Sequence, residues 1–125
     1  MKVLVDTSVW IRSFRVSAFP AEAARLAALL EQEAVAGHPF VYGELLIGAT
    51  RERPLTEYTL MRHQLRVVPH DEVVAFVRAH RLTGEGIGWI DCHLLAAAVG
   101  YETRLWSADK PVVRAARHVG VAFEP

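Results

Sequence analysis

Lysine is almost missing from this chain: Lys2 and Lys110 stand against twelve arginines. Cysteine occurs once, at Cys92, which excludes an intrachain disulfide and fits a reducing compartment. No apolar run approaches the ~20 residues that cross a bilayer. No basic stretch leads into a long apolar one either, so neither a membrane segment nor a secretory signal is expected, and the expected location is the cytoplasm. There is no HExxH, no pair of cysteines and no Gly-rich phosphate loop ending in Gly-Lys-Ser/Thr. Zinc hydrolysis and P-loop chemistry are therefore disfavoured. Repeats, low-complexity tracts and linkers are also missing. Net charge is zero, which leaves local patches rather than an overall field to recruit any nucleic acid. The arginine bias itself has two readings, bidentate phosphate recognition or GC-rich coding.

What is present is a chain of 125 residues, 52% hydrophobic. That suits one domain, residues 1–125, around one core. Short apolar runs alternate with helical periodicity. Residues 2–5 read as a strand and 7–14 as a short helix. Residues 21–33 are helical, 34–36 a second strand closed by Gly37, and 39 to about 50 a helix opened by Pro39. Residues 55–64 are weakly helical and 65–68 strand-like. Asp71 reads as the cap of a helix running to Leu82. A glycine-rich loop, 84–88, precedes a helix over 89–99. Residues 104–107 form a strand, 111–118 a helix and 119–123 a last strand. This alternation predicts an α/β fold with a parallel sheet covered on both faces.

Four acids stand out. Asp6 ends the first strand, and Asp109 follows the strand that ends at Ser107. Both reach the carboxyl edge of a parallel sheet, where ligand crevices form. Each also fits a helix N-cap, a role compatible with metal binding. At helical spacing Asp91 shares a face with Ile87, Leu94, Leu95 and Ala98, with His93 opposite. Glu44 lies similarly among Phe40, Val41, Ile47 and Gly48. A carboxylate on such a face needs a cation, a metal or a cleft. Three of the chain's four aspartates belong to this set. Carboxylates brought together raise one another's pKa, and a hard divalent ion such as Mg²⁺ or Mn²⁺ relieves that repulsion.

The segments VLVDTSVWI at 3–11, HPFVYGELLIG at 38–48, GIGWIDCHLLAAA at 86–98 and LWSADKPVVRAA at 105–116 together resemble the PIN-domain ribonucleases, in particular the VapC toxins of bacterial toxin–antitoxin modules. The resemblance spans essentially the whole chain. It implies a three-layer α/β/α fold with a central parallel sheet. It also implies a Mg²⁺- or Mn²⁺-dependent endoribonuclease that hydrolyses RNA phosphodiesters with a metal-activated water, leaving a 5′-phosphate and a 3′-hydroxyl. By motif the catalytic acids are Asp6, Glu44, Asp91 and Asp109, with Asp6, Asp91 and Asp109 on the metal. Thr7, Ser8 and Ser107 support them. A cognate antitoxin and a homodimer are the implied protein partners. Two positions depart from the pattern: Val112 stands where many relatives carry an aromatic residue, and Pro111 where some carry a further acid.

Arg12 and Arg15 close the first short helix. They suit RNA phosphates or an antitoxin carboxylate, or simply a solvated helix face. Arg114, Arg117 and His118 lie toward the end of the last helix, where a cation also favours the helix dipole. Trp10, Trp89 and Trp106 adjoin core segments, so packing competes with base stacking. The six histidines show no ligand spacing. Two other classes keep a place: a receiver-like domain that gathers acids around Mg²⁺ for signalling, and a non-catalytic PIN-like interaction module. The first calls for an acidic pair at the first strand end and a late lysine, and the second usually lacks some of the acids.

Overall fold

The computed structural model describes residues 1–48, 58–59 and 61–125. Val3–Val5 is β1, and all three residues are buried, as a strand covered on both faces requires. Thr7–Ser13 (α1) and Pro20–Glu31 (α2) lead to Val35–Gly37 (β2). Pro39–Gly48 is α3, His63–Gln64 is β3 and His70–Ala79 is α4. Trp89–Gly100 (α5), Arg104–Trp106 (β4) and Lys110–His118 (α6) follow. Prolines sit in the first turns of α2, α3 and α6, where a missing N–H removes no helical bond.

The four strands are parallel, in the order β3-β2-β1-β4. Leu4 pairs with Ala36 on one side and with Leu105 on the other. Val5 is level with Trp106, so the next residues, Asp6 and Ser107, leave the sheet side by side. The chain moves from β1 to β2 in one direction and reaches β4 in the other. That reversal opens a crevice at the carboxyl ends of β1 and β4. α1 packs against α2 and α3, while α5 packs against α4, α6 and β4. The two helical groups enclose the sheet, giving the expected three-layer α/β/α arrangement. Leu4, Val5, Val41, Leu94, Leu95 and Leu105 fill the core between the layers. Among the described residues no helix is long and apolar enough to cross a membrane.

Four local expectations change. The strand expected over 65–68 is instead His63–Gln64. Leu65 still donates its N–H to the Gly37 carbonyl at 2.8 Å, but 65–69 form no strand. Of the helix expected over 55–64, Tyr58 and Thr59 are helical, 61–62 are not, and 63–64 are that strand; 55–57 and 60 lie outside the described residues. The final strand, 119–123, is reduced to one bridge between Ala122 and Leu105. Asp71 is not a cap: Pro69 holds that position, and Asp71 lies in the first turn, where its charge favours the helix dipole.

Candidate active site

Asp6 and Asp109 both occupy N-cap positions, of α1 and α6, yet neither side chain accepts a capping backbone N–H of its helix. Their backbone carbonyls accept instead, Asp6 from Val9 at 3.0 Å and Asp109 from Val113 at 2.9 Å. Capping therefore does not occupy the carboxylates.

The Asp6 side chain is 5% exposed and turned along the sheet edge. Its Oδ2 accepts from the Ser8 and Ser107 hydroxyls, both at 2.8 Å. Those hydroxyls are themselves fixed: the Ala108 N–H donates to Ser8 Oγ at 3.0 Å, and the Asp109 N–H donates to Ser107 Oγ at 3.1 Å. The two hydroxyls lie 3.4 Å apart. Thr7, next along α1, donates its hydroxyl to Glu44 Oε1 at 2.8 Å, which ties α3 to the end of β1. The Gly88 N–H donates to Asp91 Oδ2 at 2.9 Å, in the first turn of α5. Thr7, Ser8 and Ser107 are thus all engaged with the acids the sequence singles out.

Burial pushes the Asp91 carboxyl above its ordinary range, and the charges of Asp6, Asp109 and Glu44 push it the same way; only the Gly88 N–H opposes them. The four acids therefore share one electrostatic neighbourhood although they come from four segments of the chain. Among the described residues no basic side chain balances them. The described ion pairs, Arg62–Glu33 and Arg117–Glu124, lie elsewhere.

A cation fits this donor set in its chemistry. Every group offers oxygen, the preference of Mg²⁺ and Mn²⁺. The hydroxyls and the Gly88 amide engage Asp6 Oδ2, Glu44 Oε1 and Asp91 Oδ2, and among the described residues no donor reaches the second oxygen of any of the three. In the present rotamers, no three His, Cys, Asp or Glu side chains among the described residues converge on one point. Binding an ion thus calls for the carboxylates to turn toward one another.

α5 does not have the single apolar face expected of it. Cys92 through Ala98 are all buried, His93 included, so this helix is covered all round and Asp91 lies at its mouth. Likewise Ile47, expected beside Glu44 on a covered face, is 90% exposed. Asp6 and Asp109 are recognisable by where their strands end, while a helical stripe marks neither Glu44 nor Asp91. The Gly88 amide was not among the expected site groups; a glycine three residues before an aspartate at a helix start was its signal.

Arg12 and Arg15 lie with their guanidinium carbons 4.6 and 5.7 Å from the centre of the Phe19 ring. No ion pair joins either to the acids among the described residues. Trp10 and Trp106 are core residues. Trp89 is 42% exposed, two residues from Asp91, with its ring edge-on to His93. His38 and His93 are buried nearby against Phe40.

The PIN-domain family model matches residues 3–117. Two curated relatives, each named Ribonuclease VapC32 and from two strains of Mycobacterium tuberculosis, are 42% identical over 124 residues, covering 97% of this chain and 95% of theirs. Among solved structures, PAE2754 from Pyrobaculum aerophilum is similar with a TM-score of 0.65, covering 98% of this chain and 88% of that one. At 16% identity it shares the fold alone.

Proposed function

This chain belongs to the PIN-domain family, and from that premise we propose that it is a metal-dependent endoribonuclease, the toxin of a toxin–antitoxin pair. The observation that carries the reading is the coupling of Asp91 to Asp6, Glu44 and Asp109, with no basic side chain paired to them among the described residues. Asp6 is buried and Glu44 and Asp91 are half-buried, and a purely structural set of such acids would be paired. Family membership sets the receiver-like reading aside, and the presence of all four acids argues against a module without catalysis.

In this reading Asp6, Asp91 and Asp109 hold Mg²⁺ or Mn²⁺. When bound, the ion supplies Lewis acidity at the phosphoryl oxygens and an activated water. The chain's own residues do the rest. Ser8 and Ser107 fix one oxygen of Asp6 and so present the other to the crevice. Thr7 does the same for Glu44, which is free to accept a proton from the attacking water. The Gly88 amide holds Asp91 at the mouth of α5. Placed by these supports, the acids position a phosphodiester for in-line attack, with a 5′-phosphate and a 3′-hydroxyl as products.

The partners in this reading are RNA, a co-encoded antitoxin and a second copy of the chain. The helix at 21–33, one candidate for the antitoxin groove, buries Leu26 and Leu29 in the core. Of the other, 54–64, residues 54–57 and 60 lie outside the described residues, and Tyr58 is buried in the core. The test of the reading is cleavage of single-stranded RNA in Mg²⁺ and in excess EDTA. Cleavage confined to Mg²⁺ or Mn²⁺ supports it; robust cleavage in EDTA sinks it.

A further inference from the structure

A second concave feature adjoins the acids. A cleft of about 290 Å³ lies between the turn after α4 and one face of α6. Its floor is apolar, formed by the buried Leu82 and Ala115, and its walls carry Arg81, Arg114 and His118. Glu85 is the only acid among the described residues that line it. Neither arginine forms an ion pair with Glu85 or with any other described residue. Arg117, on the same helix but outside the cleft, is held by Glu124, Nε to Oε1 at 2.9 Å. His118 Nε2 lies 3.1 Å from the His80 carbonyl; a carbonyl only accepts, so the ring donates, and this bond ties α6 to the end of α4 across the cleft.

Two unpaired guanidinium groups over an apolar floor focus a positive field on an anion. Arginine's planar fork suits phosphate oxygens in particular. The volume is at the small end for ligand pockets, enough for a phosphate with its sugar. The position supplies the rest. Pro111, on the cleft wall, is two residues from Asp109, and Gly86 packs beside it. The same loop continues to Gly88, whose amide holds Asp91. From Asp109 to Arg114 the helix rises about 7.5 Å.

We infer that this cleft is a backbone subsite: Arg81 and Arg114 bind a phosphate of the RNA strand next to the one placed among the acids. The inference rests on the ribonuclease reading above. A phosphodiester strand continues past Asp109 because the proposed reaction sets one of its phosphates there. The arginines touch phosphate only, so they add affinity and register without base specificity.

The test is fluorescence anisotropy with a short, labelled, mixed-sequence single-stranded RNA, in EDTA so that binding is read without cleavage, over a salt series. Arg81→Gln/Arg114→Gln is expected to bind about tenfold more weakly. Its slope of log K against log salt is expected to be shallower by about 0.7, the value for one single-strand phosphate charge left without an arginine. Arg114→Gln alone should give about half of that change, and Arg117→Gln none. All these side chains are exposed, so the melting temperatures should match. Wild-type affinity and slope in the double variant overturn the subsite, as does an equal loss in Arg117→Gln, which reports net charge alone. Arginine-dependent binding of oligoglutamate with RNA binding unchanged overturns it in favour of a protein-docking surface. A wild-type chain that neither binds nor cuts RNA overturns the ribonuclease reading itself, whereas a wild-type chain that cuts RNA beside an unaffected double variant overturns only the cleft.

Discussion

Along the carboxyl edge of the sheet, β1 and β4 run into Asp6 and Ser107, while β2 runs into His38. The first pair is a buried carboxyl group with donors supplied. Two hydroxyls reach Asp6, and each is held by a backbone amide. The second is buried polarity kept neutral. His38 is fully buried; its Nδ1 accepts from the Phe40 N–H at 3.0 Å and its Nε2 has no partner among the described residues. His93, stacked edge-on to Phe40, leaves its Nδ1 equally alone. Burial and the neighbouring His93 push the His38 imidazole down to about 4. Three residues across one sheet edge thus show two solutions to one problem. A carboxylate is placed where hydroxyls anchored on backbone amides supply its donors, and an imidazole with an unpartnered nitrogen where aromatic rings do the packing.

Acid would break the neutral region first, and this is the largest stability effect expected. Above pH 6.5 both the folded and unfolded chains hold His38 neutral, so it contributes nothing. Below 6.5 the unfolded chain takes up a proton that the folded chain refuses until about 4, so stability falls across that window. The loss amounts to about 3 kcal/mol. Asp91 acts with the opposite sign, because burial first and the neighbouring carboxylates second raise its pKa, so the folded chain takes up that proton more readily than the unfolded chain. Urea melts of His38→Asn, which keeps an acceptor for the Phe40 amide, should show a flatter pH dependence than the wild type over that range. An unchanged slope would remove His38 from the account.

A smaller effect sharpens the charged side. Ser107→Ala takes a donor from Asp6 and an acceptor from the Asp109 amide. Stability should drop by about 1–3 kcal/mol. Cleavage should drop by about 10–100-fold, the usual consequence of removing a group that orients a ligand. Loss of stability with full cleavage would make Ser107 only structural. The smallest effect lies outside both regions. Arg117 and Glu124 pair at the surface, and Arg117→Gln should leave the melting temperature unchanged.

Much of the fold was legible because its elements announce their own ends. Val3-Leu4-Val5 stops at Asp6, Pro39 opens α3, and Gly88 precedes α5, so these boundaries fall within about a residue of expectation. β3 was displaced because Val67 and Val68 look like a strand, yet the register set by Gly37 pairs His63 and Gln64 instead. Gly120, at φ +80°, turns the chain so that only Ala122 bridges β4. The acids were legible for different reasons. Asp6 and Asp109 follow from topology, since a parallel sheet gathers its strand ends at one edge. Asp91 does not follow from helical periodicity, since a helix buried through Leu94, Leu95 and Ala98 and also through His93 has no single inner face. The His38 region was invisible, because a lone histidine before Pro39 carries no periodic signal.

The central claim is that the four carboxylates are left in mutual repulsion for a cation to relieve. Asp91→Asn tests it most directly, because asparagine keeps an oxygen for the Gly88 amide and loses only the charge. The measurement is a pair of melting curves for each protein, in EDTA and in Mg²⁺, with RNA cleavage followed alongside. In EDTA the variant should melt at or above the wild type. Mg²⁺ should raise the wild-type melting temperature by binding linkage and leave the variant nearly unmoved. Cleavage by the variant should fall by orders of magnitude. A variant that melts far lower in EDTA, as loss of a buried ion pair worth about 3–5 kcal/mol would cause, and that still cuts RNA at the wild-type rate, would contradict the account.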